Sequence, residues 1–219
     1  MTETRRFTGA RLGLGFFAPL AAALVLATVP FVALAAPEPE PVPIRWEFDF
    51  REGPLRLATV NVPGVGPRKY FYFTYRVTNF SGQDRMLAPS FEMVTSEGEL
   101  LRAGRGVPSA VTQELLDRLD NPLLFDQLRI VSTLNQGLEH SRFGLVIWPA
   151  TDLDVDEVTL FATGFSGENT PYFTEDPETG ERVRHLLRKT KMMRYALPGE
   201  LRGRGALPFD VVESRWVMR

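Results

Sequence analysis

Three aspartates at alternate positions, Asp152, Asp154 and Asp156 in "TDLDVDE", are the side chains with the best spacing for a divalent cation. Carboxylates arranged this way open a calcium loop, because a hard cation gathers several oxygen ligands. An EF-hand would need glycine where Glu157 stands and an acid where Thr163 stands, so that motif fails. The favoured reading is a loop or strand edge that turns its acids to water and Leu153 and Val155 to the core. His140 and His185 are the only histidines. "LEHSRFG" places His140 in a loop ahead of a strand, and its neighbour Ser141 cannot reach it in triad geometry. No G-x-S-x-G elbow is present. With no cysteine and no His-x-x-x-His pair, the chain lacks the ligands of a zinc site. Phosphate loops, dinucleotide fingerprints and nucleic-acid motifs are missing as well. The sequence therefore assigns no catalytic residue, no metal ligand and no cofactor.

A second cluster is basic. "ERVRHLLRKTKMMR" carries Arg182, Arg184, Arg188, Lys189, Lys191 and Arg194. Such a run could meet an anionic surface, either an envelope polymer or lipid headgroups. Glu168, Glu175, Asp176, Glu178 and Glu181 lie just upstream, and "EDPETGE" has the proline and glycine of a turn. A protruding hairpin whose acids and bases pair across the strands is the expected outcome.

The third cluster is aromatic. In "KYFYFTYRVTNFSGQD", residues 69–84, strand alternation puts Phe71, Phe73, Tyr75 and Val77 on one face. Tyr70, Tyr72, Thr74, Arg76 and Thr78 share the other. The first face is a core face, and "NFSG" ends the strand in a tight turn. Tyr70, Tyr72 and Arg76 are the candidate partner-binding residues, since tyrosine offers an apolar ring and a hydroxyl at small entropic cost. The competing reading, and the favoured one, is that a helical insertion or the proline spacer covers this face.

Period-two patterning governs the rest. "IRWEFDF", "PLRLATVNV", "APSFEMVTSEGELL" with Gly98 at a hairpin turn, "RFGLVIWP", "DEVTLFATGF", "GERVRHLLRKTKMMRYAL" and "FDVVESRWVM" read as strands. Eight or nine strands separated by turn signals indicate an antiparallel β-sandwich. One stretch breaks the rhythm: "VPSAVTQELLDRLDNPLLFDQL" sets Val111, Leu115 and Leu119 at helical spacing, with Pro108 suited to the first turn. Asp120 or Asn121 can cap a second short turn begun by Pro122.

Ahead of the sandwich, "MTETRRFTGAR" carries three arginines, and the 25 residues from Leu12 to Ala36 carry no charge. A basic start, an apolar run and a small-residue site at Ala33-Leu34-Ala35 make an export signal cut after Ala35. The same run is long enough to span a bilayer as a retained anchor, although Pro19 and Pro30 interrupt it. Both readings put the remaining chain outside the cytoplasm. Arg5 and Arg6 fit either a general or a twin-arginine export route. "PEPEPVP" is a polyproline spacer. Beyond residue 35 the chain holds 22 basic against 26 acidic residues, a sign that disfavours nucleic acid. An exported domain without cysteine must hold together by its core, which favours a bacterial envelope protein.

"YFTYRVTNFSGQD", "FEMVTSEGEL" and "GLVIWP" together resemble the accessory immunoglobulin-like domains of exported bacterial proteins. In those domains a V-x-V-x-N strand and turn precede F-x-L-x-D-x-x-G, and a glycine later leads into a strand. Thr95 stands near the family's aspartate, and the helical insertion departs from its pattern. The resemblance implies an immunoglobulin- or fibronectin-like fold, and most such domains carry no assigned activity.

The expected organisation is a signal peptide or N-terminal membrane anchor over residues 1–35, forming an apolar leader helix, then a proline-rich spacer over 36–43. A mainly β sandwich follows over 44–219, with a helical insertion around 108–128. The expected function is that of a non-catalytic exported envelope protein, a binding or structural module in the periplasm or outside the cell. Its partner is an envelope protein or polymer, and membrane contact runs only through residues 12–36 if these are retained. The alternative is an exported hydrolase, which requires a cleft with perturbed carboxylates or a nucleophile beside His140.

Overall fold

The structure, a computed structural model, describes residues 37–219; the leader, its Ala35 cut and its role as signal or anchor lie outside the described residues. The described chain is mainly β, with twelve strands and one α-helix. In chain order the strands are β1 (Asp49–Val62), β2 (Gly66–Asn79), β3 (Arg85–Leu87), β4 (Ser90–Thr95), β5 (Leu100–Arg102) and β6 (Leu124–Asp126). The rest are β7 (Ser132–Leu134), β8 (Gly137–Pro149), β9 (Glu157–Thr163), β10 (Asn169–Glu175), β11 (Arg182–Ala196) and β12 (Asp210–Met218). The helix α1 (Ser109–Leu119) falls between β5 and β6. Among the described residues no helix is long and apolar enough to cross a membrane.

One sheet has the order β1-β2-β8-β6, and a second runs β10-β11-β9-β4-β5 with β12 on the other edge of β11. Strands β3 and β7 form a small ladder of their own. The pairing is antiparallel except where β6 runs parallel to β8. The inner faces of the two large sheets supply the main core. Phe71, Phe73, Tyr75 and Val77 of β2 and Trp148 of β8 meet Phe91, Met93, Leu160, Met193 and Tyr195. Burying each of these large side chains contributes roughly 1.5–3 kcal/mol, so this layer dominates folding.

Tyr75 lies directly opposite Gly144. A Cβ at Gly144 would stand 2.2 Å from the Tyr75 ring, which explains glycine there. Gly98, at φ +82°, makes the β4–β5 hairpin turn that its sequence position indicates. Asn79 closes β2: its buried side-chain amide donates to the carbonyls of Gln83 and Leu134, both at 2.8 Å, and its oxygen accepts from Ser81.

Several expectations need revision. The stretch "IRWEFDF" is strand only at Asp49 and Phe50, which open β1, and Ile44 is exposed; Gly53 and Pro54 then make a bulge between Glu52 and Leu55, so the same strand runs on through "PLRLATVNV". His140 sits inside β8 rather than in a loop, because the β2 ladder extends to Gly137. Asn121 accepts a hydrogen bond from the Leu123 amide, but this turn leads straight into β6 and begins no second helical turn.

Candidate functional site

The second face of β2 is the first place to look. Tyr70 and Tyr72 are 5% and 6% exposed and pack with Val60, Leu145 and Ile147 beneath Val111 and Leu115 of α1. The helix carries apolar residues one turn apart, and Arg118 fixes it by donating to the Thr59 carbonyl at 2.9 Å. Neither tyrosine is open to a partner; the helical insertion, not the proline spacer, covers them. Arg76 is half-buried beyond the end of this cover and lines a cavity next to β1.

The surface that stands open is on β11. Its inner half, Lys189–Ala196, pairs with β12, and from Lys191 on it also pairs with β9. Its outer half, Arg182–Arg188, has β10 as its only partner strand among the described residues, and Arg188 alone also exchanges backbone hydrogen bonds with Arg219. Strands β9 and β10 lie along the same edge of β11, and the surplus chain between them, residues 164–168, bows out. The result is a two-stranded arm. No residue from Asn169 to Arg188 is buried, whereas Lys189 and Thr190 are.

Register sets the faces of this arm. Pro171, Phe173 and Leu186 share one face with Arg182, Arg184 and Arg188, while Tyr172, Val183, His185 and Leu187 share the other. The Arg182 guanidinium lies 4.0 Å from the centre of the Phe173 ring. The tip is tied by Asp176, whose carboxylate accepts the amides of Thr179 and Glu178 at 3.0 and 2.8 Å and is held below its ordinary range by them. Of the acids and bases expected to pair across this hairpin, only Glu168 and Lys189 form an ion pair together among the described residues. Arg182, Arg184 and Arg188 take part in none of the ion pairs there, which leaves their charge available.

At the root of the arm is a buried ionic cluster. Lys189 Nζ lies 3.0 Å from Glu168 Oε2 and 3.0 Å from Glu47 Oε2, and Lys189 and Glu168 are each 3% exposed. The N-terminal segment is strapped onto it. The Glu40 amide donates to Glu168 Oε1 at 2.9 Å, and Lys189 Nζ donates to the Glu40 carbonyl at 3.4 Å. The strap continues as Phe48 donates to the Phe165 carbonyl and Gly167 to that of Trp46. Burial opposes charge on Glu168, but the Glu40 amide and Lys189 outweigh it and hold the carboxyl below its ordinary range. Burial likewise opposes charge on Lys189, and its two carboxylates hold it above its ordinary range. Sequence reasoning had Glu168 and Lys189 among the charges that could pair, but it missed Glu47, the Glu40 backbone and the burial of the cluster. One signal was present: Lys189 shares strand parity with Met193 and Tyr195, both in the core.

The other candidates do not converge. Asp154 pairs with Arg202 at 3.0 Å, Asp152 accepts the Asp154 amide, and Val155 is buried, as a loop with solvated acids requires. The described residues contain no group of three metal-ligating side chains. His140 stands 3.8 Å from Glu139, and the Ser141 hydroxyl is engaged with Thr78 and the Leu138 carbonyl. His185 shares a 2.8 Å hydrogen bond with Thr174 on the open arm. A concavity of about 380 Å³ lies between α1 and the chain after β6, with Leu116, Leu145 and Ile147 among its lining.

No protein-family model, no curated protein and no solved structure matches this chain.

Proposed function

We propose that this chain is an exported envelope module that acts by binding rather than catalysis, with an immunoglobulin- or fibronectin-like sandwich as its scaffold. Its partner is an envelope protein or polymer, and the arm formed by β10 and β11 is the contact. One observation carries this reading: the arm exposes Phe173 and Leu186 on the face of Arg182, Arg184 and Arg188, which have no ion-pair partner among the described residues. Apolar and aromatic groups flanked by arginine are the composition of partner surfaces. Export rests on the arginine-rich start, the uncharged run and Ala33-Leu34-Ala35.

The test is a pull-down from envelope extracts with the full chain and with Phe173→Ser/Leu186→Ser. Capture that disappears with the double substitution supports the arm as the contact. Capture that persists unchanged would move the contact elsewhere. N-terminal sequencing of the protein recovered from cells tests the leader: a mature chain starting at Ala36 means a cleaved signal, and an intact Met1 in the membrane fraction means an anchor.

A further inference from the structure

Across the outer face of the first sheet, one cross-strand row reads Arg51, Arg76, Phe143, Leu124, with one residue from each of β1, β2, β8 and β6. All four line a cavity of about 410 Å³, walled by Leu119 and Asn121 at the end of α1 and by Glu52 and Gly53 at the β1 bulge. That size falls within the roughly 300–1,000 Å³ of small-molecule sites. The row is divided along its length. Two guanidinium groups occupy one end, and an aromatic ring and a leucine occupy the other.

Two arginines directly opposite each other on antiparallel strands repel. Arg51 is offset by Asp49, 3.1 Å away. Arg76 has no such relief. Its Nε is buried without an acceptor, and the residue takes part in none of the ion pairs among the described residues. Glu52, the carboxylate in the cavity wall, is turned to Ser214, whose hydroxyl lies 2.9 Å from both of its oxygens. A buried donor with no acceptor is costly, and more so when it is charged. An acceptor that carries negative charge and fits a planar, forked donor would meet the Arg76 guanidinium at this end of the row.

We infer that this cavity binds a small amphiphilic oxyanion, a carboxylate or phosphate monoester with an apolar body. The Arg76 guanidinium takes the oxyanion, Arg51 adds charge at the rim, and Phe143, Leu124 and Leu119 carry the apolar part. This site is separate from the arm and does not depend on what the arm binds.

The Arg76 Nε–H group is itself the reporter. The full chain, labelled with nitrogen-15 in a nonionic detergent, is titrated at constant ionic strength with phenyl phosphate, inorganic phosphate and phenol. Phenyl phosphate is expected to shift the Arg76 Nε–H resonance saturably and to bind at least tenfold more tightly than inorganic phosphate. Phenol should leave the resonance in place. Arg76→Gln should abolish saturable binding, as read on the neighbouring backbone amides of Thr74 and Phe143. Should that variant fail to fold, Arg76→Lys keeps the charge, loses the fork and is expected to bind at least tenfold more weakly. Three results would overturn the proposal: a shift linear in ligand concentration, equal responses to phenyl phosphate and phenol, or an Arg76 variant that folds and binds like the parent. Equal affinity for phenyl phosphate and inorganic phosphate would overturn the amphiphilic part and reduce the site to a bare anion site.

Discussion

Two outer faces of this sandwich carry aromatic and basic side chains in strand alternation, and they end in opposite states. On β2, Tyr70 and Tyr72 lie under α1 in a second core, and Arg76 remains half-buried beyond it. On the arm, Phe173 and Leu186 stand exposed beside Arg182, Arg184 and Arg188. Strand pattern alone cannot separate them, since both read as one polar-aromatic face of a strand. The difference lies elsewhere in the chain. The segment between β5 and β6 has Val111 and Leu115 at helical spacing and can lie across β2, whereas the second sheet offers no such cover to the arm. A face belongs to the core when another element has the complementary stripe to bury it.

The sharpest way to break this comparison is Tyr70→Ser/Tyr72→Ser. Two large buried rings are removed, and the loss of stability in urea unfolding is expected to be about 4 kcal/mol or more. A loss under about 1 kcal/mol would make the face a surface after all. Next in size is Lys189→Met, which leaves Glu168 charged and buried without its partner and should cost about 3 kcal/mol. Lys189→Met combined with Glu168→Leu should recover part of that loss, since Glu47 still lacks its partner.

The same pair predicts a pH profile. The Glu168 carboxyl is held below its ordinary 4.5, so its contribution is complete above that value and fades as pH falls through the lower folded pKa. The Lys189 amine is held above its ordinary 10.5, so its contribution is complete below that value and is lost as pH rises through the higher folded pKa. Urea midpoints measured against pH should show both limbs in the parent and weakened limbs in the double variant. Leu115→Ala, which thins the cover over the tyrosines, should cost about 2 kcal/mol by the same unfolding measurement. The smallest effect is expected on the arm, where Phe173→Ser and Leu186→Ser should each change stability by about 0.5 kcal/mol or less.

Much of this organisation is legible in the sequence, for reasons that differ by element. The two faces of β2, the Gly98 turn, the helix after Pro108 and the hairpin tip at 175–181 follow from side-chain period or from turn chemistry. The three-residue strands β3, β6 and β7 are too short to show any period. Strand β10 follows only as the first arm of the hairpin ending at Glu175, since its polar residues and Pro171, which a strand tolerates at a sheet edge, blur its own period. Gly53 and Pro54 break the alternation ahead of "PLRLATVNV", because they bend one long strand instead of joining two. The rest of the Lys189 cluster was invisible for another reason: Glu47 and the Glu40 backbone come from stretches far from Lys189 and Glu168, and only the fold brings them together. Arg76 was legible as a residue of interest, but its setting was not, because the cavity depends on the end of α1 and on β6.

The arm also sets a distance. Seven paired positions, from Asn169 opposite Arg188 to Glu175 opposite Arg182, give a ladder of about 20 Å at the usual rise per residue. Whatever grips the outer positions is held off the body of the sandwich by that length. On the proposed contact the arm would work as a ruler, and shortening it by two residue pairs would move a bound partner inward by roughly 7 Å, a change that distance measurements between spin labels can read.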